Sequence, residues 1–216
     1  EATAAHPYSQ KANRALGARE TGLLLGYIPA TVRYERLDAQ DVVPRRSVTL
    51  FYLKTNEGPD RRLHAPSRHR PMVERILARG GLAGTVDTGP EVALSSAPTR
   101  LDVQVRRDHN QAAMVVVEAG DDFAARVGAE LRDLCLHHLD CIYVDLPLGS
   151  PASAAAGTEL DTLGFRFGGI FPNRSVDGHV LRLQYLNNVA VRRSDVVVVS
   201  DLGRELLAYV CPSTGD

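Results

Sequence analysis

Leu163-Gly164-Phe165-Arg166-Phe167-Gly168-Gly169 marks a point where a helix hands over to a strand. Ahead of it, residues 150–163 read as a helix, and Gly164 suits the left-handed residue just past a helix end. Behind it, 165–171 and 180–186 read as strands. Further upstream, 141–146 is an apolar run closed by Pro147, a buried strand. Asp121 and Asp122 open a long helix with Phe123, Val127, Leu131 and Leu134 on its inner face. Residues 113–118 form a more buried strand. Leu101, Val103 and Val105 alternate with Asp102, Gln104 and Arg106, the pattern of a half-buried strand. From Leu101 to Leu186 the order is β-β-α-β-α-β-β. That order predicts an α/β (α+β) fold, a mixed central sheet flanked by helices. A short strand over 196–199 follows, and Ser200 caps a last helix carrying Leu202, Leu206 and Tyr209.

The opening motif occurs twice. Leu16-Gly17-Ala18-Arg19-Glu20-Thr21-Gly22 shares its L-G-x-R-x-x-G pattern. A helix precedes it, with Tyr8, Ala12, Ala15 and Leu16 on one face and Pro7 in its first turn. Apolar strands over 21–28 and 47–53 follow. Val48-Thr49-Leu50-Phe51-Tyr52-Leu53 matches Leu181-Arg182-Leu183-Gln184-Tyr185-Leu186. A helix–strand–strand unit is therefore expected twice, as in two tandem domains of one kind with most of the first missing from this chain. The chain opens on Glu1 rather than methionine, which suggests a piece of a longer protein. The expected division is 1–55, the remnant of a first copy; 56–100, a basic linker, helix and flexible loop; and 101–216, the second copy. Two strands alone are marginal in water. The extra N-terminal unit is therefore expected to pair with the sheet of 101–118 and 141–186, or with its own counterpart in a homodimer.

Between these units lies a basic run holding Arg61, Arg62, His64, Arg68, His69 and Arg70. Arg61, Arg62, Arg68 and Arg70 are expected to form an exposed patch facing anions. A helix with Met72, Val73, Ile76 and Leu77 inward ends at Gly80-Gly81. Residues 83–99, rich in Gly, Pro, Ser and Thr, read as a loop with at most a weak strand at 92–94.

Composition narrows the function classes. The chain has 216 residues, 44% apolar and 24% charged, with net charge −1. These values exclude disorder and a global basic field for nucleic acid or an anionic membrane. No aromatic residues interleave with the basic run to stack bases, so nucleic acid is not expected as a partner. No apolar run reaches the length of a membrane span. Cys135, Cys141 and Cys211 are an odd, sparse set that suits a reducing cytoplasm. Cys135, His137, His138 and Cys141 lie close in sequence, but their spacing matches no standard zinc pair, and no metal is expected.

The β-β-α-β-α-β-β order and the Leu163-Gly164-Phe165 helix end resemble the GNAT superfamily, the acyl-CoA-dependent N-acyltransferases. A closer resemblance is to the GNAT-like region of bacterial proteins fused to an ATP-binding anti-sigma-type regulator domain related to histidine kinases. His6-Pro7-Tyr8-Ser9-Gln10-Lys11, Gly22-Leu23-Leu24-Leu25-Gly26, Asp140-Cys141-Ile142-Tyr143-Val144-Asp145-Leu146-Pro147, Leu183-Gln184-Tyr185-Leu186-Asn187-Asn188 and Gly203-Arg204-Glu205-Leu206-Leu207-Ala208-Tyr209-Val210 carry it. The resemblance implies acetyl-CoA as cofactor, its pyrophosphate held by backbone N–H groups at a helix N-terminus through an R/Q-x-x-G-x-G/A loop.

Here that loop falls on Val117-Glu118-Ala119-Gly120-Asp121-Asp122-Phe123, with Gly120 its one glycine, no base and three acids. Asp121 or Asp122 is expected to cap the helix itself, so acetyl-CoA is not expected to bind tightly. The family's N-x-x-A-x-x-x-Y falls on Ser153, Ala156 and Leu160, and a leucine has no proton to give. In the first unit the same places hold His6, Ser9 and Asn13. Ser153 and Gly120 are the candidate cofactor residues. Glu118 and Asp145, at adjacent strand ends, are the candidate bases for deprotonating an amine. The sequence is read as a degenerate GNAT-like domain with a regulatory or interaction role in a larger bacterial signalling protein. Its expected partners are another protein or other domains of the full chain. The alternative is an active acyl-CoA-dependent N-acetyltransferase acting on an amine.

Overall fold

The computed structural model describes residues 1–32, 44–176 and 178–212. The first half runs β1 (Ala2–Thr3), α1 (Tyr8–Ala15), β2 (Arg19–Ile28), β3 (Arg46–Tyr52), β4 (Arg62–Leu63), α2 (Arg70–Gly80) and β5 (Thr85–Val86). The second half runs β6 (Arg100–Arg106), β7 (Gln111–Glu118), α3 (Phe123–Leu136), β8 (Cys141–Pro147), α4 (Ser153–Thr162), β9 (Arg166–Ser175), β10 (Gly178–Leu186) and α5 (Asp201–Val210). The β-β-α-β-α-β-β order over 101–186 is thus the observed one.

Eight strands form one mixed sheet in the order β1-β3-β2-β9-β10-β8-β7-β6, and β4 pairs with β5 beside it. Within the large sheet β7 and β8 run parallel, and every other neighbouring pair is antiparallel. The N-terminal unit takes the first of its two expected places, with β2 lying against β9 of the same chain.

The two L-G-x-R-x-x-G stretches leave their helices alike. Gly17 has φ +91° and Gly164 φ +90°, a region open to glycine at no steric cost. The last glycines of the two motifs, Gly22 and Gly169, are each other's partner where β2 meets β9. A Cβ on Gly22 would stand 2.4 Å from the Gly168 carbonyl oxygen and 2.5 Å from Gly169 Cα. The close approach of the two backbones therefore depends on both residues lacking side chains.

Helices α2, α3, α4 and α5 cover one face of the sheet. Val73, Ile76, Phe123, Val127, Leu160 and Leu206 pack there with Leu23, Ile142, Val144 and Leu183. Strand alternation sends the neighbouring residues to the other face. There Leu24, Val48, Leu50, Cys141 and Tyr143 form a second small core that contains no helix residue. These residues are buried because the sheet curls. The end of β2 crosses to the starts of β7 and β8: the Gln111 side chain donates to the Tyr27 carbonyl, and the Cys141 thiol donates to the Gly26 carbonyl over 3.3 Å. Arg45 ties the same corner, donating to Gly26 O (2.6 Å), Asp140 (2.9 Å) and His109 O (3.0 Å). The result is a half-barrel.

Three local expectations change. Residues 92–94 form no strand; Ser95 instead bridges to Gly120. Residues 196–199 are not a strand, although the Val197 N–H donates to Ala4 O. β6 is the sheet's edge and more open than half-buried, with Val105 44% exposed. Ser200 does cap α5, accepting from the Gly203 N–H at 2.8 Å.

Candidate functional site

Pairing between β7 and β8 ends at Val115–Asp145, while β7 runs on to Glu118. The strand ends part there and leave a cleft of about 520 Å3, lined by Glu118, Arg100, Ser95 and Ser150. The N-terminus of α3 opens beside it. Its free N–H groups, with the positive end of the helix dipole, are the feature that would attract a phosphate.

The chain itself covers the turn that leads into this helix. The Gly120 N–H donates to Thr99 Oγ1 (3.0 Å) and the Asp121 N–H to Ser95 O (2.7 Å). Residues 95–99 lie across the loop so tightly that a Cβ on Gly120 would stand 1.7 Å from the Ala97 carbonyl oxygen. The self-capping expected of Asp121 or Asp122 is not what forms. Asp122 stands at the N-cap position without a side-chain bond to its own helix. It reaches outward and accepts from the Thr99 N–H at 2.8 Å. Hydrogen bonding by Thr99 holds its carboxyl below the usual range. A strap, not a self-cap, lies over the turn ahead of the helix, and with three acids at that turn the residues present do not fit a CoA pyrophosphate.

The other candidates are equally engaged. Glu118 pairs with Arg100 Nε at 3.0 Å on the cleft wall. Asp145 is 4% exposed and accepts from Arg182 Nε and Nη2, each at 2.6 Å. Burial works against the Arg182 charge, but the hydrogen bond and charge of Asp145 outweigh it and leave the guanidinium pKa raised. Asp145 lines a cavity with Arg174, Val180 and Arg182, whereas Glu118 lines the cleft at α3. The structure does not bring the two candidate bases together. Ser153 is buried and donates its hydroxyl to Pro147 O at 2.5 Å, and Leu160 is buried in the core.

The basic run does not form a continuous anion-facing patch. Arg61 donates to Val176 O (3.0 Å), Arg62 faces Asp87 (3.9 Å), and Arg68 faces Asp161 (3.7 Å). Arg70 is only half exposed. His69 is buried between Tyr209 (Nδ1 to Oη 2.6 Å) and Asp161 (Nε2 to Oδ1 3.0 Å), so it ties α2 to α5 and α4. Of the six basic residues in this run, His69 is therefore the one that serves the core. Cys141 is buried against Gly26, Cys135 is half-buried, and His137 turns to Asp133. Among the described residues no three His, Cys, Asp or Glu side chains group to hold an ion. None of the described helices is long and apolar enough to cross a membrane.

One site escaped sequence reasoning: the mouth of the half-barrel, a cavity of about 230 Å3 beside Tyr143. Its only trace in the sequence is a tyrosine and an arginine at inward positions of two apolar strands.

No family model matches the chain, and no curated protein matches it. Among solved structures, the ribosomal-protein-S18-alanine N-acetyltransferase from Escherichia coli aligns at a TM-score of 0.33 with 16% identity, over 43% of this chain and 63% of that one. The alignment thus spans less than two thirds of that enzyme's length.

Proposed function

We propose that this chain is a GNAT-like domain of a larger bacterial regulatory protein, with its acyl-CoA site closed by its own backbone and a regulatory or interaction role in place of catalysis. The element order over 101–186, the parallel β7–β8 pair with its parting ends, and the antiparallel β9–β10 pair support the GNAT-like reading. The observation that carries the loss of cofactor binding is the strap over 95–99, which consumes the Gly120 and Asp121 N–H groups. Three acids at the same turn oppose any phosphate that displaced it. The matched glycines at the β2–β9 junction favour an origin in two tandem copies, α1, β2 and β3 belonging to the first. The partner is another protein or another domain of the full chain, in the cytoplasm.

The rival reading is an active N-acetyltransferase acting on an amine, and the cleft beside Glu118 favours it. Calorimetric titration with acetyl-CoA separates the two. The expected result is no heat of binding at micromolar cofactor. A low-micromolar dissociation constant overturns the degenerate reading and restores the enzyme.

A further inference from the structure

The half-barrel mouth lies on the face of the sheet away from the helices, remote from the strap. Tyr143 projects into it from β8. It is 2% exposed, and its hydroxyl meets the Cys141 thiol but makes no hydrogen bond of ordinary geometry among the described residues. The Cys141 thiol alongside is turned to the Gly26 carbonyl. A buried hydroxyl with only a thiol beside it is poorly satisfied and costs free energy unless something better arrives. The walls beside it are aromatic, with the Tyr27 ring 6.1 Å from that of Tyr143 and Phe171 also lining the cavity.

The charges are uneven. Arg182 lies over Tyr143 (5.0 Å) and Phe171 (4.6 Å), but its charge is cancelled by Asp145. Arg106 on β6 and Arg174 on β9 line the same cavity from either side of β8; neither has a carboxylate partner within ion-pair distance among the described residues, and Arg174 lies over the Phe171 ring (5.3 Å). Glu1 is the one acid on the cavity wall, and it stands by Tyr27. A second cavity of about 300 Å3 continues the first, sharing Gln104, Arg174 and Arg182.

We propose that this mouth binds a small organic anion: a carboxylate on a planar apolar body. Its oxyanion sits between Arg106 and Arg174, its body lies against Tyr27 and Phe171, and the Tyr143 hydroxyl donates to it. Guanidinium forks match carboxylates. Concave sites with apolar walls and a few convergent polar groups, often at barrel mouths, are where small ligands bind. A bare inorganic anion would leave the aromatic walls unused, and a cation would face two arginines that no carboxylate offsets among the described residues. This inference is independent of the state of the acyl-CoA site.

The test is calorimetric titration of the whole chain at low ionic strength with three probes: benzoate, inorganic phosphate and benzylammonium. Benzoate should bind saturably at millimolar concentration or below, with phosphate at least tenfold weaker and benzylammonium inert. Arg106 and Arg174 are exposed, so the R106Q/R174Q variant should keep its fold, checked by circular dichroism, and lose at least tenfold in benzoate affinity. Tyr143→Phe, which keeps the ring, should lose about threefold or more. Absence of saturable benzoate binding overturns the proposal, as does an unchanged affinity in the folded double variant. Phosphate binding as tight as benzoate also overturns it, because the aromatic walls would then contribute nothing.

Discussion

Asp145 and Arg182 face each other in register on β8 and β10, almost out of water, with two hydrogen bonds between them. Such a pair gains little over a well-packed apolar pair, but removing one partner strands the other charge. Asp145→Asn should therefore cost roughly 3–5 kcal/mol in urea unfolding. Asp145→Leu combined with Arg182→Met should recover most of that loss. A cost near zero for the single variant would show that the Arg182 charge is relieved elsewhere. Sequence alternation assigned Asp145 to a strand end but gave no sight of Arg182, because the register of two strands is set by contacts far apart in the chain. The Arg100 partner of Glu118 was hidden from the sequence for the same reason, since it lies on β6.

Among elements, the helices and long strands were legible because a 3.6 or 2.0 period needs only neighbouring residues. The strap over 95–99 has no period, so nothing local announced it. Its fit on Gly120 is testable. Gly120→Ala places a methyl where the Ala97 carbonyl stands, and the strap must lift. Overpacking of this kind typically costs about 1–3 kcal/mol. Hydrogen exchange should show the amides of Thr99, Gly120 and Asp121 losing protection while those of β8 and β10 keep theirs. Unchanged protection at Gly120 would mean that the strap does not hold this turn. The apolar run at 196–199 shows the opposite error. It has strand composition, yet no neighbour offers it a ladder; besides the Val197 N–H bond to Ala4, its Val197 carbonyl accepts from the Gln10 side chain at 2.7 Å.

For the molecule as a whole, β1, β2 and β3 are structural members of the sheet. Leu23 and Leu25 stand in the main core, and α2 and α5 pack against β2. A chain starting at residue 56 would expose the β9 edge and the apolar residues that face β2, and open sheet edges associate. Light scattering should show that truncated chain as aggregates or higher oligomers, against a defined mass for the full chain. A soluble, folded truncation of unchanged oligomeric state would make the N-terminal unit a dispensable appendage. The duplicated helix–strand–strand pattern was visible in sequence. That its two copies meet at their own glycines was not, since a motif carries no information about which other motif it will touch.

The Gly22–Gly169 junction also bears on how quickly the protein reaches its native state. The hairpin of β9 and β10 closes over a short loop and can form early. The seam that joins β2 to β9 links residues separated by most of the chain, and a contact of such range is slow to find because a large loop must close before it is rewarded. The glycine pair itself offers no side chain to guide that search, and the flanking Leu23, Leu25, Phe167 and Ile170 are buried only once the seam closes. Between synthesis and closure the β9 edge waits open for a strand of the right length, and at high concentration the nearest one belongs to another molecule. The residue pair that lets two backbones lie so close in the finished fold is thus also the last part of the sheet to be secured.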